Sequence, residues 1–185
     1  FNSENQINNS GGTGSILING TFITRHTKGF AGSTTAIPSI TPTLGGSSTV
    51  EYALTGNQII SPFNYINITF SGSGTKTTQS AINVDTDGLV KITGTAIVDA
   101  TSNLAATGTN NTAFTMDGGR LILRTGGTQP NMRGTYTLTG GVVEYADTSS
   151  KTIRNGSYEN IEVTGNNVGN SSGNITINPG GTFTV

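Results

Sequence analysis

The chain of 185 residues contains no cysteine and no tryptophan, one histidine and two methionines. Without cysteine there is no disulfide framework and no thiolate zinc site. A lone histidine rules out a cluster of imidazole metal ligands. Charge is also sparse. Only 10% of residues are charged, against about 25% in ordinary globular chains, and the net charge is −1. No basic field exists to hold nucleic acid or an anionic membrane. No apolar run approaches the roughly 20 residues that span a bilayer, so membrane insertion is not expected. The chain opens on Phe1 and closes on "GGTFTV", which reads as a mature or excised piece of a longer secreted chain.

What is present is small and polar: 27 glycines, 50 serines and threonines together, and 20 asparagines. Such a composition alone fits disorder. The regular spacing of Ile, Val, Leu, Phe and Tyr argues for a core instead.

That spacing comes from a repeat. "STVEYALTGNQIISPFNYINITFSG" from Ser48 is echoed by "GVVEYADTSSKTIRNGSYENIEVTG" from Gly141. An ungapped offset of 93 aligns residues 48–92 with 141–185. Identities include Val50/Val143, Glu51/Glu144, Tyr52/Tyr145, Tyr65/Tyr158, Asn67/Asn160, Ile68/Ile161 and Gly88/Gly181. A second match, at offset 74, pairs "GSILINGTFIT" from Gly14 with "GLVKITGTAIV" from Gly88. The chain therefore reads as one segment of two related units, about 14–92 and 88–185, the first short by about one coil.

Within each unit apolar residues recur 22 apart: Ile60/Ile82, Ile68/Val90, Phe70/Ile92, Phe114/Tyr136, Ile153/Ile175, Ile161/Phe183 and Val163/Val185. A fixed period in the twenties is the mark of a solenoid. Short alternating runs such as "INITF", "RLILR" and "NIEV" read as strands, and Gly, Asn, Asp and Ser clusters separate them. The expected fold is all-β: a right-handed parallel β-helix, a β-solenoid of about eight coils of roughly 22 residues. A β-sandwich also gives short strands, but has no reason to equate apolar positions one coil apart. Alternation places Ile68, Phe70, Ile82, Val84, Ile161 and Val163 inside. It places Glu51, Thr69, Asn83, Lys91, Glu144, Glu162 and Thr176 outside.

The motifs "STVEY", "GVVEY", "YINITFSGSGTKT", "YENIEVTG" and "ITINPGGTFTV" resemble the repeats of very large Bacteroidetes cell-surface proteins. Those proteins are exported by the type IX secretion system and include gliding-motility adhesins. The resemblance covers most of the chain. It implies an extracellular, cell-surface β-solenoid that acts as a stalk or adhesive segment. Neighbouring repeats or capping domains of the same chain would be its partners, with polysaccharide as a ligand. It supplies no catalytic residue and no cofactor.

The residues themselves yield few chemical candidates. His26 lies in "ITRHTKG" and reads as an exposed bystander. "NVDTDG" at 83–88 begins like a calcium loop, making Asp85 and Asp87 candidates for weak calcium binding. The twelfth position, which should be Glu, is Gly94, so a polar turn is the plainer reading. Glu51 and Glu144 stand about four coils apart, too far for a glycosidase pair at about 5–9.5 Å. Arg120, Arg124 and Arg133 form the one basic concentration; Arg120 and Arg124 are candidates for contact with an acidic glycan. Tyr52 and Tyr145 share a face with Val50 and Val143 and belong to the core. Tyr65 and Tyr158 begin strands after turns and are candidates for an exposed sugar-binding surface. Seven Asn-x-Ser/Thr sequons, at Asn8, Asn19, Asn67, Asn110, Asn155, Asn170 and Asn174, barely exceed the roughly five that chance supplies.

These readings favour a non-catalytic structural or adhesive module. A polysaccharide-active or carbohydrate-binding β-helix is the alternative. An ice-binding solenoid is the third reading, but it needs a uniform file of threonine that the outward residues do not supply.

Overall fold

The computed structural model describes all residues except 1, 4–5, 8–13, 102–103, 107–110, 147–149 and 167. Among the described residues there is no α-helix. Parallel strands stack as a β-solenoid of about seven turns.

A regular turn presents three faces, each with a strand segment. On the first face Phe22, Val50, Ile68, Val90, Phe114 and Tyr136 stand in one continuous register. On the second face the file is Lys76, Val98, Leu121, Val143, Ile161 and Phe183. The third face is built from shorter ladders. One joins 64–65 to 82–84 and Leu104–Ala106; another joins Gly127–Gln129, Lys151–Ile153 and Val168–Ser171. Strands Ile82–Ile92, Ala113–Leu123, Tyr136–Tyr145 and Ile175–Thr184 are long because each runs round a corner and serves two faces.

Coil length varies. The step is 28 residues from Phe22 to Val50, 18 to Ile68, 22 to Val90, 24 to Phe114 and 22 to Tyr136. The 28-residue coil is one reason for seven turns where a uniform 22 suggests eight. The expected stacks Ile68/Val90, Phe70/Ile92, Phe114/Tyr136 and Ile161/Phe183 are present. Two others are not. Ile60 registers with Thr78, not Ile82, and Ile153 with Ser171, not Ile175. Ile60 and Ile82 lie on different faces. Between them runs the 18-residue coil, so counting 22 residues overshoots the turn.

The same registers place the 93-residue repeat. Four coils carry Val50 to Tyr136 on the first face. Seven residues further on, past the corner, Val143 lies on the second face. The repeat therefore advances four turns and one face. The 74-residue match advances three turns and one face, since Phe22 leads to Val90 and then to the second-face strand Ile97–Ala100. The two matches differ by one turn.

The core fills the coil interior. Val50, Tyr52, Ile68, Phe70, Ile82, Val84, Val90, Ile92, Phe114 and Ile161 are buried, as alternation requires. Two lysines join them. Lys76 is fully buried, with its ammonium donating to the carbonyls of Leu54 (2.5 Å), Ser73 (2.9 Å) and Gly56 (3.0 Å). Lys151 is equally buried and donates to Leu123 O. At Lys76, three carbonyls gathered at a corner solvate the buried ammonium.

Corner chemistry explains the repeated glycine. A Cβ on Gly88 would lie 2.2 Å from Ile66 O, and one on Gly181 would lie 1.9 Å from Glu159 O. Ile66 and Glu159 are themselves 93 apart, so one coil approaches the next identically in both units. The preceding residue is left-handed in both: Asp87 at φ 63° and Gly180 at φ 89°. Asp and Asn tolerate that region better than most side chains.

Candidate functional site

Among the described residues, the largest departure from the regular coil is the insertion that lengthens the turn from Phe22 to Val50. Residues 29–41 leave the second face and fold against the next coil. Phe30 anchors them: its buried ring meets Phe22 at 5.2 Å and Phe63 at 5.4 Å, both edge-on. Ser61 Oγ accepts the Phe30 and Ala31 N–H groups at 2.9 and 3.1 Å. Thr35, Ala36 and Ile37 are buried, while Gly32, Ser33 and Thr34 form the exposed tip. Thr34 holds φ 62°, an uncommon backbone for a β-branched residue.

Three cavities border this insertion, and two of them adjoin; the third lies between Ala31, Pro38, Ile40 and Phe63. Of the adjoining pair one, of about 460 Å³, is lined by Thr27, Lys28, Asn57, Gln58, Ile59, Thr75 and Thr77. The other, of about 400 Å³, is lined by Lys28, residues 31–35, Ile59, Ser61, Pro62 and Gln79. Both are open to solvent and both share Lys28 and Ile59, so they form one furrow. Its walls carry hydroxyl and amide groups beside the apolar side chains of Ala31, Ile59 and Pro62, and its single charge is the exposed Lys28. Sequence reasoning passed over this place. The only signal was the extra length of that coil.

Several charged residues outside the furrow bridge coils. Arg120 Nη1 lies 2.7 Å from Glu144 Oε2 and 2.5 Å from Glu162 Oε2, so one guanidinium spans two further turns. These bonds, first that to Glu162, raise the Arg120 pKa. Arg124 Nε meets Asp99 at 2.8 Å, and Lys91 meets Asp117 at 3.6 Å. A hydrogen bond from Thr93, followed by the Lys91 charge, holds the Asp117 carboxyl below its ordinary value. Arg133 is exposed and stands apart from this row.

Glu51 and Glu144 do not face the same way: Glu51 is on the first face and Glu144 on the second. The acids that do come together are Glu144 and Glu162, registered on neighbouring coils. His26 is half-buried rather than exposed, and its Nδ1 accepts the Lys28 N–H at 3.2 Å.

Asp85 and Asp87 occupy the corner described above. Asp85 Oδ1 accepts its neighbour Thr86 N–H at 2.8 Å, and Asp87 Oδ1 accepts Asn111 Nδ2 at 3.1 Å. Both are bonds that a turn makes. Among the described residues no three His, Cys, Asp or Glu side chains gather as metal ligands.

Tyr65 and Tyr158 are buried, contrary to the expectation of exposure. Each turns inward and meets the tyrosine from across its own coil. Ser61 N–H donates to Tyr52 Oη (3.0 Å), Tyr52 and Tyr65 share a 2.6 Å hydrogen bond, and Tyr65 donates to Ser61 O (2.6 Å). The ring is closed within the core. In the second unit Tyr158 donates to Arg154 O (2.7 Å) and Tyr145 to Gln129 O (2.9 Å); the two hydroxyls stand 3.5 Å apart. Burial pushes the Tyr52 phenol up to about 12 and those of Tyr65, Tyr136, Tyr145 and Tyr158 above their usual value. A sugar cannot reach these rings.

Of the sequons, Asn67 is committed to the fold: Nδ2 donates to Ser48 O and Oδ1 accepts Leu89 N–H, both at 3.0 Å. Asn8 and Asn110 lie outside the described residues.

No protein-family model matches this sequence, and no curated protein or solved structure matches it either.

Proposed function

We propose that this chain is a non-catalytic module of a bacterial cell-surface repeat protein, a rod that works by its length and its polar surface. The observation that carries the reading is the direction of the polar contacts. Arg120, Arg124 and Lys91 each join acids on other coils along the axis, where they fasten the stack. About seven turns at about 4.8 Å per turn give a rod roughly 34 Å long. Backbone bonds run along that length, so a pull on the rod is shared among many of them. The extracellular, cell-surface setting and the kinship with type IX-exported adhesins rest on the motif resemblance. An ice-binding role has little support: the outward file Ile23, Glu51, Thr69, Lys91, Thr115, Thr137 mixes threonine with charge and an aliphatic side chain.

The furrow at Lys28 and Ile59 favours a second reading, a carbohydrate-binding β-helix. A shallow trough of Thr, Ser, Asn and Gln beside one cation suits a hydroxylated, carboxylated chain. As part of an adhesive rod such a site would be weak and gain strength from copies. The test is binding of labelled neutral and uronate-containing polysaccharides to the free protein and to beads carrying many copies. Weak binding in solution with strong retention on beads is expected. Tight binding by the free monomer would contradict the multivalent rod and point to a dedicated receptor site.

A further inference from the structure

The furrow beside Lys28 carries one feature that the fold does not need. Residues 32–35 make a tight turn in which Gly32 O accepts the Thr35 N–H at 3.2 Å and the Thr35 hydroxyl at 2.6 Å. Of its two central residues only Thr34 is left-handed, at φ 62°. A turn of this kind takes glycine or asparagine at that position, because a branched side chain at positive φ crowds the backbone. A threonine held there costs about 1–3 kcal/mol. No contact inside the protein offsets that cost. Thr34 is exposed, its hydroxyl has no hydrogen-bond partner among the described residues, and the turn is closed by Thr35 instead.

The strain persists because the base of the insertion is fixed. A Cβ on Gly29 would lie 2.5 Å from Ile59 O and 2.7 Å from Ser61 Oγ, so the chain touches the next coil there. Ile37 N–H donates to Phe30 O at 2.9 Å, Ala36 N–H to Gly29 O at 3.0 Å and Gly32 N–H to Ile37 O at 3.2 Å. These bonds tie the two limbs of the insertion together up to the turn.

Thr34 and Lys28 line the same cavity, the one of about 400 Å³. Lys28 has no acidic partner among the described residues, whereas Lys91, Arg120 and Arg124 each have one. No acid lines either half of the furrow. A cation without a counter-ion and a hydroxyl at a strained position thus border one space. Both are set in advance for a ligand that carries negative charge and hydroxyls together.

We infer that Thr34 is a ligand-contacting residue of this furrow. It is a clamp whose hydroxyl meets the hydroxyls of an acidic polysaccharide while Lys28 meets the carboxylate. The inference rests on the carbohydrate-binding reading of the furrow. It adds the residue that grips the chain, and it sets binding against stability at that residue.

The test is retention of polygalacturonate, a uronate chain, and of dextran, a neutral one, on beads carrying many copies of the protein. Native beads should retain polygalacturonate better than dextran, and Lys28→Gln should remove the difference. Thr34→Gly removes the strain and the hydroxyl together. It should raise the melting temperature by about 2 °C or more and lower polygalacturonate retention at least about threefold. Asparagine tolerates the same backbone and keeps a hydrogen-bonding side chain, so Thr34→Asn should raise the melting temperature and keep most of the retention. A lower melting temperature in Thr34→Gly would overturn the inference, because the threonine would then serve the fold. Unchanged retention in Thr34→Gly would overturn it too, and would leave the carbohydrate reading standing. Native beads that retain neither chain would contradict that reading itself, and the clamp with it.

Discussion

Ile161 and Thr69 illustrate what alternation decides at a single residue. Ile161 is 1% exposed inside the coil, and Thr69 points outward between Glu51 and Lys91. Ile161→Ala should cost about 2–5 kcal/mol, and Thr69→Ala no more than about 0.5 kcal/mol, in denaturant titrations. The inward set was legible because period-2 alternation needs no knowledge of the rest of the chain. Tyr65 and Tyr158 were not. Their burial depends on partners for the hydroxyl, and those partners meet them only when the coil closes. The tyrosines also set the alkaline limit. A phenol whose folded pKa is raised contributes stability that is present below its unfolded value of about 10 and is lost as pH rises from there through the raised folded value. Lys76 acts in the opposite sense. Burial pushes its ammonium down to about 8. The unfolded chain, with a value near 10.4, then binds the extra proton between those limits. Stability should rise from about pH 8 towards 10, then fall as the phenols ionise. Lys76→Met should flatten the rise and leave the fall. A rise that persists in Lys76→Met would assign it elsewhere.

At the scale of the coil, corners carry the specificity. Asn67 and Asn160 each bridge three turns. Asn160 Nδ2 donates to Gly141 O at 2.8 Å and Oδ1 accepts the Thr182 N–H at 3.0 Å, matching the bonds of Asn67 one repeat earlier. Asn67→Ala leaves a carbonyl and an N–H without these partners and should cost about 1–3 kcal/mol. Gly88→Ala forces a Cβ onto Ile66 O and should cost about 1–3 kcal/mol or more, read as a lower urea midpoint. Both residues stood out in the sequence as identities between the units, but the reason for them did not. A repeat marks which residues recur and gives no hint that one stitches backbone and the other makes room for it. The 22-residue step was legible for strands on one face. It failed for Ile60 and Ile153 because one turn in each unit is 18 residues long and a count takes no notice of corners.

For the whole molecule the decisive quantity is the pitch of the repeat. Four turns and one face separate the units, so Glu51 and Glu144 cannot line a common stripe. A rod built this way shows each outward feature to a different side in turn. Such a surface suits a spacer with scattered weak contacts better than a single adhesive strip, and the furrow at Lys28 and Ile59 is an exception confined to one place. The period alone announced a solenoid. The rotation could not be read from it, because it depends on the lengths of individual coils.

The central claim is that this surface binds or spaces without turnover. The most direct test is incubation of the purified protein with a panel of neutral and acidic polysaccharides, followed by mass spectrometry of soluble products and assay of new reducing ends. Glu144 and Glu162, the two acids that the fold does bring together, supply the control as Glu144→Gln and Glu162→Gln. The account predicts no product from any substrate with the native protein. A product that forms with the native protein and disappears in either variant would contradict it.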